Sequence, residues 1–133
     1  MPAVVLADGI GPHSSFYGQH KTVTKPENDI SLVVHRDKGK ADVFVSNFCL
    51  GTQSTPNGMS FPNSAQARGV KVKKGKISYS GPATIFMQNG QQTVTMKFTA
   101  TIKPKKAKGT ANFPKIQQCK PISFTAKLQQ KTK

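Results

Sequence analysis

Few residues in this 133-residue chain could do chemistry. The carboxylates are Asp8, Glu27, Asp29, Asp37 and Asp42, the imidazoles His13, His20 and His35, and the thiols Cys49 and Cys119. A glycosidase-type reaction needs two carboxyl groups converging on one bond. Here Asp37 belongs to a turn, and Glu27 and Asp29 follow Pro26 just ahead of a strand. The histidines are too widely spaced for a short metal motif, and no CxxC or HxxxH spacing joins the cysteines to them. A glycine-rich phosphate loop and a GxSxG elbow are both missing. The expectation is therefore no enzyme: no catalytic residue, no metal and no cofactor.

The two cysteines are the best discrete feature. The chain is 35% hydrophobic and 19% charged, both below the globular average, and Thr, Ser, Gln, Asn, Gly and Pro fill the balance. That composition, with two cysteines, fits a single Cys49–Cys119 disulfide in an exported protein; two free buried thiols are the alternative. The expected location is secreted or cell-surface.

Charge is the second feature. The net charge is +15, and lysine carries it, with eighteen Lys against two Arg. Such a field attracts anionic polymers and surfaces: polysaccharide, teichoic-type polymer, nucleic acid or anionic lipid. Lysine acts as a point charge, whereas bidentate reading of guanine is mainly work for arginine. The candidate polyanion-binding residues fall in two groups: Lys71, Lys73, Lys74 and Lys76, and Lys103, Lys105, Lys106 and Lys108. Whether the groups meet depends on the strand order. The bland reading of the same lysines is solubility, with strand lysines discouraging edge-to-edge association.

The elements that position these groups are strands. In Thr93 to Lys103, "TVTMKFTATIK", Val94, Met96, Phe98, Ala100 and Ile102 alternate with Thr and Lys, the period of a half-buried strand. Ile122, Phe124, Ala126 and Leu128 repeat it. Asn89-Gly90, Asp37-Lys38-Gly39 and Lys74-Gly75 each separate two such runs and read as hairpin turns. Pro104-Lys105-Lys106 closes another strand, and an early strand is expected around Phe16 to Val23. About eight or nine strands predict an all-β, antiparallel sandwich or a jelly-roll or barrel-like fold. Phe86, Phe98 and Phe124 fall on faces that read as core, which leaves no aromatic platform for single-stranded nucleic acid.

A single β domain over residues 13–133 is expected, behind an N-terminal arm or first strand at 1–12. Leu50 to Arg68 reads as a long surface loop, rich in Pro, Gly and small polar residues. Met59 and Phe61 are its anchors or its contact residues. "MPAVVLADG" is too short to span a membrane, and no other segment is a transmembrane candidate. It is either the tail of a trimmed signal peptide or a strand seeking a sheet edge, which would allow self-association by strand addition.

Several short pieces recur in a fixed order: Tyr17-Gly18, Cys49, Gly75-Lys76-Ile77-Ser78, Lys108-Gly109-Thr110, Cys119, and Phe124-Thr125-Ala126-Lys127. This order resembles a group of small, uncharacterised secreted bacterial β-sandwich domains with a single Cys pair. The resemblance implies an all-β exported domain with the Cys pair bridged, and it brings no activity. Three functions follow as expectations. The first is a non-enzymatic exported domain binding anionic polymers through lysine-rich hairpins. The others are a structural subunit assembling by strand addition and a non-specific nucleic-acid-binding protein.

Overall fold

Strict alternation of apolar and polar side chains leaves each strand one dry face, and the chain buries those faces by rolling a sheet on itself. The computed structural model describes residues 12–19 and 29–132. The strands are β1 (His13–Gln19), β2 (Asp29–His35), β3 (Lys40–Ser46), β4 (Thr52–Ser54), β5 (Ser60–Pro62), β6 (Ser64–Lys71), β7 (Lys76–Met87), β8 (Gly90–Ile102), β9 (Lys106–Asn112) and β10 (Ile122–Lys131). Eight of them close into one antiparallel barrel in the order β1-β2-β3-β6-β7-β8-β9-β10, with β10 returning to β1. β4 and β5 form a separate two-stranded sheet inserted between β3 and β6. The all-β expectation holds, and of the architectures considered the closed barrel is the one formed.

The interior is filled. Phe16, Leu32, Val43, Met96, Phe98, Phe113 and Ile122 are at most 2% exposed, each burial contributing roughly 1.5–3 kcal/mol for a side chain of this kind. Phe98 and Phe124 stack with ring centroids 5.4 Å apart. Small residues admit the large ones: Ala41, Ala65, Ala107, Ala111 and Ala126 also face inward and are fully buried. Outward positions carry Lys, Thr and Ser, the reverse of a barrel whose outer wall meets lipid. Among the described residues no helix is long and apolar enough to cross a membrane.

Two glycines let the wall bend. A Cβ at Gly109 would lie 1.8 Å from the Thr99 carbonyl oxygen, and one at Gly18 would lie 2.2 Å from that of Thr125. Strands approach there too closely for any side chain, as at the corners of a small barrel. These are the glycines of the Tyr-Gly and Lys-Gly-Thr pieces singled out in the sequence.

The disulfide is formed: Cys49 and Cys119 are bonded across a sequence separation of 70. Cys49 sits in a 3-10 turn, Phe48–Leu50, which Asn47 caps by accepting the Cys49 N–H. Cys119 lies in the loop before β10. In the chain-entropy account, closing a loop of this length stabilises by roughly 4 kcal/mol.

Three expectations need correction. Residues 50–68 are not one long loop: they hold the β4–β5 hairpin and the first part of β6, where Ala65 and Ala67 turn inward and Gln66 and Arg68 outward. Proline and glycine at Pro56 and Gly58 mark only the hairpin tip, and the small residues after Asn63 are barrel wall. Phe86 is not core, being 42% exposed, because Ile85 takes the inward phase at the end of β7. The first strand starts at His13, earlier than the expected Phe16, and reaches the edge of the described residues at Gln19. Residues 1–11 of the expected 1–12 arm, and residues 20–28 with the expected strand end at Val23, lie outside the described residues.

Candidate functional site

An up-and-down path puts alternate turns at the same end of a barrel. One end here carries the Arg36 to Gly39 turn between β2 and β3, the Val72 to Gly75 turn between β6 and β7, the Lys103 to Lys105 turn between β8 and β9, and the C-terminal end of β10. Hydrogen bonds stitch these turns into a rim. The Val72 N–H donates to the Gly39 carbonyl at 2.8 Å, the Ile102 N–H to that of Gly75 at 2.7 Å, and the Leu128 N–H to that of Lys105 at 2.8 Å.

The rim settles where the sequence-derived lysines lie. Lys71, Lys73, Lys74 and Lys76 belong to one turn, Lys103, Lys105, Lys106 and Lys108 to the next, and Lys76 and Lys108 both face Thr101 of β8. All eight side chains are exposed. Arg36, Lys38, Lys40, Lys127 and Lys131, which the sequence did not single out, join them at the same end, also exposed. Lys40 stands opposite Lys71, and Lys127 opposite Lys106. Directly opposed like charges repel, so the arrangement is held by the fold and not by the lysines themselves. Chemically, the end is an array of mobile point charges around hydroxyls, with Thr99 and Thr110 bonded at 2.9 Å beside it. It can neutralise several anionic groups at once.

One acidic side chain in this region has partners of its own. Asp42 Oδ2 lies 3.0 Å from His35 Nε2, and Asp42 Oδ1 accepts the Gly69 N–H at 2.9 Å. Burial works against its ionisation, yet the hydrogen bonds from His35 and Gly69, with the charges of His35 and Arg68, hold its carboxyl below the ordinary value. His35 and Asp42 are diagonal neighbours on the outer face of the β2–β3 hairpin, a relation that the Asp-Lys-Gly turn register would have disclosed. The other described carboxylates stand apart: Asp37 is exposed in its turn, and Asp29 accepts from the Tyr17 hydroxyl at 3.1 Å. Burial and then the Asp29 charge raise the Tyr17 phenol above its ordinary value. His13 lies opposite His35 and approaches Thr132.

The other end of the barrel holds the disulfide, the β4–β5 hairpin and the Gln88-Asn89 turn between β7 and β8. Met59 is 64% and Phe61 38% exposed. Phe61 lines an open groove of about 340 Å³ with Phe86, Pro62, Gln53 and Asp29. Gln53 pins the hairpin to the barrel by donating to the Phe86 carbonyl at 2.8 Å. Met59 and Phe61 are thus held apart from the lysines, at opposite ends of one body.

No family model, no curated protein and no solved structure matches the chain.

Proposed function

We propose that this protein is a non-enzymatic, exported binding module that holds anionic polymers against the lysine-lined end of its barrel. The observation that carries the reading is the convergence of two lysine-rich turns, with the β2–β3 turn and the end of β10, on a single rim. A disulfide between loops of the opposite end and the order of the short sequence pieces support an oxidising, extracytoplasmic setting. The partners are polysaccharide bearing sulfate or phosphate, teichoic-type polymer, or nucleic acid bound through its backbone. With Phe98 and Phe124 buried inside the barrel, contact with a nucleic acid at this end is electrostatic and not stacking.

The test is affinity for heparin, duplex DNA and a glycerol-phosphate polymer as salt is raised. Each logarithmic affinity should fall linearly with the logarithm of salt, with little sequence preference among DNAs. Replacing Lys71, Lys73, Lys76, Lys103, Lys105 and Lys106 by Gln should weaken all three and flatten the slope. Unchanged affinity in that variant would refute the reading.

A further inference from the structure

The most sparsely paired seam of the barrel wall is that between β6 and β7. β6 and β7 pair only at Ser64, Ala65 and Gln66 with Phe86, Ile85 and Thr84. Pairing then stops and resumes as a single bridge between Lys73 and Lys76. The sequence builds this parting. Gly69 takes a left-handed backbone (φ 66°) and gives its N–H to Asp42, which bulges β6 against β3. Across the seam Pro82 has no N–H to offer, and its carbonyl accepts from the Tyr79 hydroxyl at 2.6 Å. Lys73 and Lys76 exchange both of their bonds. The two-residue alternation of an antiparallel ladder therefore turns the Ser78 and Ser80 peptide groups toward the same seam.

At the rim end of the parting lies a concavity of about 390 Å³ lined by Lys71, Lys73, Lys74, Lys76 and Ser78. A second observation points to the same place. Lys74 is the one non-glycine residue with a left-handed backbone among the described residues, at φ 53°, and Gly75 follows at φ 73°. Two consecutive positive φ values make the tight hairpin turn whose first position favours Asn or Gly, not a long side chain. Strained positions of this kind cluster at ligand clamps.

We propose that this concavity is a discrete seat for a tetrahedral oxyanion, the phosphate or sulfate group of a polymer, held by Lys71, Lys73, Lys74 and Lys76 and by the Ser78 hydroxyl. The proposal rests on the polyanion reading above and sharpens it: the rim field gathers the polymer, and the parted seam fixes one of its groups. Lysines suit the task because flexible point charges can surround a compact tetrahedral anion without a planar fork. The strained turn keeps the Lys74 stem at the mouth of the concavity.

Titrating isotope-labelled protein with inorganic phosphate, inorganic sulfate and, at matched ionic strength, sodium chloride tests it through backbone amide shifts. Phosphate and sulfate should move the Ser78 amide and those of the turn saturably, while chloride moves them little. Lys74→Gly keeps the turn geometry and removes one charge, and should weaken phosphate binding by about fivefold, near the top of what one exposed charge contributes. Lys120→Gln removes the same charge at the other end and should change nothing. Repeating the titration with heparin fragments and with a short oligodeoxynucleotide separates sulfate ester from phosphodiester as the natural group, the better ligand saturating the same amides. If chloride and phosphate act alike, or Lys120→Gln weakens phosphate as much as Lys74→Gly, there is no seat, even where the parent still binds heparin. Failure of the parent to bind any polymer would instead remove the broader reading.

Discussion

Lys127 of β10 stands directly opposite Lys106 of β9, two cations paired across a ladder at the rim. Opposed charges of like sign destabilise a sheet, and an opposite-charge pair at such a position contributes roughly 0.2–1 kcal/mol. Lys127→Glu should therefore raise the melting temperature in low salt. The gain should shrink in molar salt, where the screening length falls to about 3 Å. The same substitution should weaken heparin binding, so that stability and affinity move in opposite directions. A variant that is no more stable than the parent at low salt would show that these lysines splay apart without cost.

Gly109 faces Ala100 on one side and Phe124 on the other, inside the β8–β9 and β9–β10 ladders. A methyl group there meets backbone, 1.8 Å from the Thr99 oxygen and 2.7 Å from the Ala100 Cα. Backbone cannot swing aside as a side chain can, so β8 and β9 would have to separate. Gly109→Ala should cost about 3 kcal/mol or more. Gly58→Ala is the comparison: it has open space around it and only a left-handed φ of 87°, and should cost about 1 kcal/mol. Denaturant midpoints of the two variants decide, and similar small losses would mean that the barrel corner yields easily.

The Cys49–Cys119 bond ties the turn after β3 to the loop before β10. The Gln118 side chain also links these two strand ends, donating to the Cys49 carbonyl at 3.1 Å. Replacing both cysteines with Ser should lower stability by roughly 4 kcal/mol while leaving heparin affinity unchanged, because the bond and the lysines occupy opposite ends. Mass measurement without reductant should find the parent lighter by two hydrogens than its reduced form. Loss of heparin binding in a Ser variant that is still folded would tie the two ends together in a way the fold does not suggest.

Local signals were legible and non-local ones were not. The turns at Asp37-Lys38-Gly39 and Lys74-Gly75, and the inward set Met96, Phe98 and Ala100, follow from short-range turn chemistry and period two; the β7–β8 hairpin is also legible, but its turn is Gln88-Asn89, one residue before the expected Asn89-Gly90. Closure is different. The pairing of Phe16 with Leu128 joins the two ends of the chain, and no local pattern distinguishes it from the open edges of a sandwich. The meeting of the lysine groups is hidden for the same reason, since it depends on the register that sets Lys76 opposite Thr101 and on the Ile102–Gly75 hydrogen bond. The parted seam escaped because "GVKV" and "KISYS" look like an ordinary hairpin. Only the bulge at Gly69 and the missing N–H of Pro82 reveal that the strands diverge. Ala65 and Ala67 do not read as strand, because small residues beside Pro62 and Asn63 resemble loop.

Asp42 gives the fold a particular acid limit. Its carboxyl is held below the ordinary value near 3.8 despite the opposing effect of burial, by His35, by the Gly69 N–H and by the Arg68 charge. A group whose pKa is lower in the folded state stabilises that state fully at pH above its unfolded value. The contribution is lost as pH falls through the unfolded and then the folded value. Stability of the parent should therefore hold from neutral pH down to about pH 4 and decline below it. Asp42→Asn cannot ionise, so it should be less stable at neutral pH and lose less between pH 4 and pH 2. The two curves should converge at the acid end. The variant keeps an Oδ1 acceptor for the Gly69 N–H, so the bulge should persist while the charge is lost. Urea midpoints of both proteins across this range supply the measurement. Parallel curves with a constant offset would show that the Asp42 charge contributes nothing to stability.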